Sequence, residues 1–169
     1  MRWYVSIRAV LLAGALASGD VAGHAAPVPT QQSGQAQADR RAEDTKPAVD
    51  IELILAVDVS YSMDMDELAI QREGYAQAIV SKEFLQALKS GPNGKISVTY
   101  FEWAASSDQK IIIPWRLIDG PETADAVASE IMKTPVRRAS RTSISGAIYF
   151  AMPLFDEDPY HGLRRVIAK

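Results

Sequence analysis

Three oxygen-bearing side chains stand at alternate positions directly after an apolar run. They are Asp58, Ser60 and Ser62, in the stretch IELILAVDVSYSMDMD that spans residues 51–66. In a tight loop, a spacing of two turns one carboxylate and two hydroxyls toward a single point. Such a donor set suits a hard divalent cation, Mg²⁺ above all, which takes oxygen ligands at about 2.0–2.1 Å in near-octahedral geometry. The same residues have a second reading as a helix start, because Asp and Ser are favoured N-caps. Asp64 with Glu67 forms a D-x-x-E variant of the capping box. The two readings are compatible if Asp64 caps the helix while Asp58 binds the metal.

The elements around these residues must place them. Ile51 to Val57 is short, apolar and β-branched, as expected of a strand buried on both faces. Asp58 then falls at the carboxyl end of that strand, where open α/β sheets bind their ligands. Asp66 to Val80 reads as a helix with Leu68, Tyr75 and Ile79 on one face, and Ser81 starts a second with Phe84, Leu85 and Leu88 inward. Gly91 to Gly94 is a turn by composition. Lys95 to Trp103 and Lys110 to Ile118 read as strands, and their short connection predicts an antiparallel hairpin. Pro114 inside the second of them points to a sheet edge. Pro121 opens a helix whose buried face is Ala124, Val127 and Ile131. A last helix presents Ile144, Ala147, Ile148 and Ala151, Pro153 ends or kinks it, and Arg164 to Ala168 begins a further strand.

Composition narrows the function classes. A chain of 169 residues carries a prior of one domain. The net charge of −3 argues against a nucleic-acid partner, which would need a basic surface. The absence of cysteine removes disulfides, thiolate zinc sites and cysteine nucleophiles. Only His24 and His161 are present, which rules out a multi-His zinc site within the chain. No segment reaches the roughly 18 continuous apolar residues of a membrane span.

The first 25 residues read as a secretory signal. Arg2 and Arg8 supply the positive start, Ala9 to Ala17 a short apolar core, and Gly23-His24-Ala25 a small-residue cleavage site, with Ala15-Leu16-Ala17 as a rival. Residues 26–48 are rich in Pro, Gln, Ala and charge and have no apolar period, which predicts a disordered linker. The domain proper is expected at 49–169, and the location is expected to be periplasmic or secreted.

Asp-x-Ser-x-Ser after a buried strand resembles the metal-ion-dependent adhesion site of von Willebrand factor type A domains. The wider chain resembles one exported bacterial subfamily of unknown function, through LAVDVSYSMD, QREGYAQAI, FEWA, IIIPWRLIDGP, RTSISGAI and RRVI, in order from Ile51 to Ile167. This resemblance implies a doubly wound α/β fold, with a mostly parallel sheet and one antiparallel edge strand. It also implies that a Thr hydroxyl from a later loop reaches the metal, directly or through water; Thr142 in RTSISGAI is the match. Read from its neighbours alone, Thr142 serves equally well as a helix N-cap. In the resembled family the last strand continues into a loop bearing a second metal-site Asp, and further strands and helices follow. Here Ala168 and Lys169 follow RRVI, so the expected fold is incomplete at the C-terminus, with one first-line carboxylate.

Three other features each carry two readings. Glu102 reads first as an exposed strand-end carboxylate, and alternatively as an acceptor that holds a metal-bound water or hydroxyl. Trp103 and Trp115 read as core or hairpin packing rather than a ligand platform. Arg137, Arg138 and Arg141 read as a solvated loop, with anion recognition as the alternative.

The resulting expectation is an exported binding module rather than an enzyme. Asp58, Ser60, Ser62 and Thr142 would hold Mg²⁺, or Mn²⁺ or Ca²⁺, and a protein partner would offer a carboxylate to it. A truncated, non-functional remnant is the competing account. A hydrolase or phosphoryl-transfer enzyme using Asp58 is disfavoured: His161 is expected in a distant polar loop, and Ser107 to Lys110 matches S-x-x-K only in a hairpin connection.

Overall fold

The computed structural model describes residues 45–169. The expected signal segment, and the linker up to residue 44, lie outside the described residues. Eight elements follow in order: β1 (Ala48–Asp58), α1 (Met65–Val80), α2 (Lys82–Ser90), β2 (Ile96–Trp103), β3 (Gln109–Ile118), α3 (Pro121–Lys133), α4 (Ile144–Glu157) and β4 (His161–Ala168). The strands form one sheet in the order β3-β2-β1-β4. β1 pairs in parallel with both β2 and β4, and β2 pairs antiparallel with β3. This is the expected mixed α/β architecture. Among the described residues no helix is long and apolar enough to cross a membrane.

The alternation of β1 explains the layers. Leu55 and Val57 point into one cluster with Ala76, Ile79, Leu88, Val127 and Ile131 from α1, α2 and α3. Ile54 and Ala56 point into a second cluster with Ala147, Ala151, Leu154 and Phe155 of α4. A strand covered on both faces needs apolar residues on both, and β1 has them from Leu53 to Val57. β2 is buried along its whole length. The Thr99 and Ser97 hydroxyls are satisfied: Thr99 Oγ1 donates to the Ile113 carbonyl at 2.8 Å, and Ser97 Oγ donates to Asp158 Oδ2 at 2.5 Å. β3 lies at the edge, as Pro114 predicts, and irregularities interrupt its register with β2 near Val98 and Tyr100.

The capping chemistry is where it was expected. Asp64 Oδ1 accepts from the Asp66 and Glu67 amides at 2.9 Å each, and Glu67 Oε2 accepts from the Asp64 amide at 2.8 Å. Such a cap stabilises by about 1 kcal/mol. Pro121 stands in the first turn of α3, and Ala124, Val127 and Ile131 are its buried residues.

Four expectations need correction. β1 begins at Ala48, three residues before the apolar run. Its extra length is held by the wholly buried Val49 and by Asp50, whose carboxylate ties down the turn after α2 through the Asn93 amide and Nδ2, both at 2.9 Å. Ile144 and Ile148 do not join the buried face of α4; they are 50% and 48% exposed. The helix settles instead on Gly146, Ala147, Ala151, Leu154 and Phe155, rotating its larger residues outward. Gly146 allows this seating, since a Cβ there would lie 2.7 Å from Ser106 Cα. Pro153 does not end α4, which continues to Glu157. His161 is not in a loop; it opens β4, with its amide donating to the Pro47 carbonyl at 3.1 Å.

The amino-terminal end of the sheet is held by buried carboxylates. Glu52, wholly buried, accepts from the Gly162 amide at 2.7 Å and from Arg165 Nε at 3.1 Å. Asp158, 1% exposed, accepts from Ser97 and from the Tyr160 amide. Burial raises the Asp158 pKa, the nearby Glu52 adds to the rise, and the two hydrogen bonds and Lys46 only partly offset it. The folded state therefore binds this proton more tightly than the unfolded chain does. The contribution to stability is present at low pH and is lost as pH rises from the ordinary carboxylate range through the raised value. Asp158→Asn preserves an acceptor for Tyr160, and the Ser97 hydroxyl can turn to accept. The stability of this variant relative to the parent should grow between pH 4 and pH 7, measured by urea unfolding. A difference that shrinks over that range would mean that the ionised carboxylate is stabilising.

Candidate metal centre

β1 delivers Asp58 half-buried at the carboxyl end of the sheet. Two backbone bonds fix the residue after it. The Val59 amide donates to the Trp103 carbonyl at 2.9 Å, and the Val59 carbonyl accepts from the Ala139 amide at 2.9 Å. Ser60 and Ala139 form an isolated parallel bridge. The loop between α3 and α4 is thereby tied to the loop that follows β1. A further bond, from the Ser143 amide to the Ala104 carbonyl at 2.8 Å, ties it to the end of β2.

The four expected side chains form two pairs on this frame, Asp58 with Thr142 and Ser60 with Ser62. Asp58 Oδ1 accepts from the Ser60 amide at 2.8 Å, which closes an Asx turn. Thr142 Oγ1 donates to Asp58 Oδ2 at 3.3 Å. Ser60 Oγ and Ser62 Oγ are 2.9 Å apart. Ser60 is buried, while Ser62 and Thr142 are exposed. The cluster therefore has a fixed inner side and an open outer side.

The capping alternatives go to other residues. Asp64 caps α1. Ser143 caps α4, with its hydroxyl accepting from the Gly146 amide at 3.2 Å. Neither Asp58 nor Thr142 is occupied with a helix terminus.

Glu102 and Arg137 depart from expectation. Glu102 is 1% exposed and is not a solvated strand end. Its Oε1 takes the Arg72 guanidinium, and its Oε2 accepts from Arg137 Nε at 3.0 Å. Arg137 also donates to Asp108 at 2.9 Å and to the Glu102 carbonyl at 3.2 Å. Arg138 lies over the Tyr61 ring, 4.7 Å from its centroid, and donates to the Tyr61 carbonyl at 2.6 Å. Arg137 is thus a part-buried structural tie rather than a solvated loop residue, while Arg138 ties the loop to Tyr61 from an exposed position. Arg138 and Arg141 are both exposed, and Arg141 has φ at +68°, in the left-handed region that few side chains adopt.

Arg72 is the residue that sequence reasoning missed. A signal was present: it stands four residues after Leu68 and four before Ala76, on the buried stripe of α1. A charge at such a position needs a buried partner. It finds Glu102 and the Thr134 carbonyl. Trp103 and Trp115 pack in the α4-side core as expected, and Trp115 Nε1 donates to the Leu154 carbonyl at 2.9 Å.

Among the described residues no group of three His, Cys, Asp or Glu side chains comes together that could hold a metal. The candidate residues offer one carboxylate and three hydroxyls. That combination is wrong for zinc, which wants nitrogen or sulfur ligands. It is compatible with a hard cation that retains several waters, as Mg²⁺ does.

Fold and site together define an α/β protein with its candidate chemistry at the carboxyl edge of parallel strands. The chain belongs to the family described as Protein of unknown function (DUF1194), whose family model matches residues 48–168. No curated protein and no solved structure matches it.

The Glu102 clamp yields a stability prediction. Glu102→Gln removes the charge that two guanidiniums share, leaving Arg72 buried without a counter-ion. Breaking a buried pair in this way costs about 3–5 kcal/mol. Chemical denaturation of the variant should show a loss of that size. A loss below about 1 kcal/mol, the worth of an exposed pair, would mean that the clamp is solvated in solution.

Proposed function

We propose that this chain is a metal-dependent binding module. Asp58, Ser60, Ser62 and Thr142 would hold a divalent cation, Mg²⁺ first and Mn²⁺ or Ca²⁺ as substitutes. The observation that supports the reading is the contact of Thr142 with Asp58 across two separate loops, beside the turn that leads from Asp58 to the paired Ser60 and Ser62 hydroxyls, with none of the four serving as a helix cap. The resemblance of LAVDVSYSMD and RTSISGAI to the adhesion site of von Willebrand factor type A domains supports the same assignment.

The charge balance suggests the partner. One carboxylate leaves a divalent ion with surplus positive charge, and the hydroxyls add none to offset it. An acidic side chain on a protein partner would complete both the charge and the coordination. Such a site recognises and releases; it does not turn over a substrate. The chain would be exported, as its basic start and short apolar segment suggest, and would meet its partner in the periplasm or outside the cell.

Thermal unfolding tests the proposal with the metal alone. A cation at about 100 times its Kd stabilises a protein by about 2.7 kcal/mol. The parent chain should melt at higher temperature in MgCl₂ or MnCl₂ than in NaCl of equal ionic strength. Asp58→Ala should fold and show no such shift. Thr142→Val should retain a reduced shift, because the exposed hydroxyl contributes one ligand among several. An equal shift in the parent and Asp58→Ala would place the cation elsewhere, and no shift in the parent would sink the reading.

A further inference from the structure

We infer that Arg141 is a second recognition point beside the candidate cation, and that the partner segment taken there is doubly acidic, with one carboxylate for the cation and another for the Arg141 guanidinium. The inference rests on the metal reading of Asp58 and Thr142 and names the ligand which that reading would select.

The arginines of the loop before α4 are engaged unequally. The segment from Thr134 to Ser143 holds three arginines and no Asp or Glu. Arg137 is neutralised from outside the segment, by Glu102 and Asp108. Arg138 is held by the Tyr61 carbonyl and ring. Arg141 is exposed and, among the described residues, makes no hydrogen bond or ion pair. Acids of the facing loop are in use elsewhere: Asp58 accepts from the Ser60 amide and from Thr142, and Asp64 and Glu67 close the capping box.

The backbone of Arg141 indicates that its side chain does not serve the fold. Among the described residues it is the only non-glycine residue with positive φ. That conformation lies between Ala139, bridged to Ser60, and Thr142, in contact with Asp58. Gly or Asn would adopt it with less strain. An arginine without a partner adds nothing to such a turn, so the guanidinium is accounted for by what comes to the site. Strained backbone of this kind collects at ligand sites.

Tyr61 supplies the rim on the other loop. It stands between Ser60 and Ser62 and is 58% exposed. The Arg138 guanidinium over its ring steadies it. A steadied aromatic side chain loses little freedom on binding, which makes it a good anchor. Spacing then defines the segment. Arg141 and Thr142 are neighbours, about 3.8 Å apart at Cα, so the two acids must lie close together. In an extended segment, residues two apart share a face at about 7 Å. One such carboxylate meets the cation, and the other enters the guanidinium fork, which takes carboxylates bidentately.

The test uses the full chain and two labelled peptides of Gly, Ser and Leu, one with a central Asp-Gly-Asp and one with Asp-Gly-Asn, followed by fluorescence anisotropy in MgCl₂. The doubly acidic peptide should bind at least about tenfold more tightly, the size of a lost hydrogen bond between charged groups. Arg141→Asn, which suits the left-handed backbone, should fold, keep the Mg²⁺ melting shift and bind the two peptides equally. Arg141→Lys should restore part of the difference, through charge without the fork. The two ways of failing are separable. No Mg²⁺ shift in the parent removes the metal reading and the two-point site with it. An intact shift, with the parent binding both peptides equally or Arg141→Asn still preferring the doubly acidic one, overturns the role of Arg141 alone. Absence of binding by either peptide at millimolar concentration, with the shift intact, overturns it as well.

Discussion

The carboxylate of Glu102 is the point on which the carboxyl end of this domain depends. It sits at the end of β2, buried, between Arg72 from α1 and Arg137 from the loop before α4. Three segments distant in sequence therefore meet at one charge. Burying it without both arginines would carry a desolvation penalty of several kcal/mol. The folded chain must bring α1 and the loop together or leave charges unpaired. The interaction is weak evidence for net stability, since a packed apolar trio of similar volume could do as well. Its consequence here is positional. Arg137 holds the loop whose next residues form the bridge to Ser60 and deliver Thr142 to Asp58.

The amino-terminal end of the sheet is solved with the same chemistry and different geometry. Asp50, Glu52 and Asp158 are all buried there, and each accepts hydrogen bonds from backbone amides. Glu52 lies against the Gly162 backbone so closely that a Cβ at 162 would be 2.8 Å from the Glu52 amide nitrogen. That contact fixes the register of β4 on β1, because slipping by one residue would present a side chain to Glu52. Asp50 shows the balance in miniature. Burial pushes its pKa up, the bonds from Asn93, Lys95 and Gly94 push it down more, and the net shift is downward. Amides that must be held in a turn are there to hold the charge.

Much of this was legible in the sequence because it is governed by local rules. The apolar run of β1, the Asp64 capping box, Pro121 at a helix start and Pro114 on an edge strand each follow from a few neighbouring residues, and each stands where those residues predict. The meeting of Thr142 with Asp58 was legible in a different way, through resemblance; 84 residues separate the two ends of that contact. What escaped is non-local. Glu102 looked like a solvated strand end because its partners lie 30 and 35 residues away. The α4 face was misjudged because apolarity marks Ile144 and Ile148 for burial, whereas close seating favours the smaller Gly146 and Ala147. The rule that buries large residues yielded to the rule that packs surfaces tightly.

The candidate site combines these two kinds of constraint. Asp58 and Ser60 are set by β1 and by backbone bonds on either side of Val59, so their oxygens have little freedom. Ser62 and Thr142 are exposed, and Thr142 follows Arg141, whose left-handed backbone is an unfavourable conformation held by its surroundings. Release of that residue would swing Thr142 away from Asp58. The bonds that prevent it are the Ala139 amide to Val59 on one side and the Ser143 amide to Ala104 on the other, and the Glu102–Arg137 pair anchors the loop from beneath. On the proposed reading, a cation would find one half of its ligands rigid and the other half held by a strained loop. The buried ion pairs and the open hydroxyls are then parts of one arrangement: the first sets where the loop lies, and the second is what that position makes available.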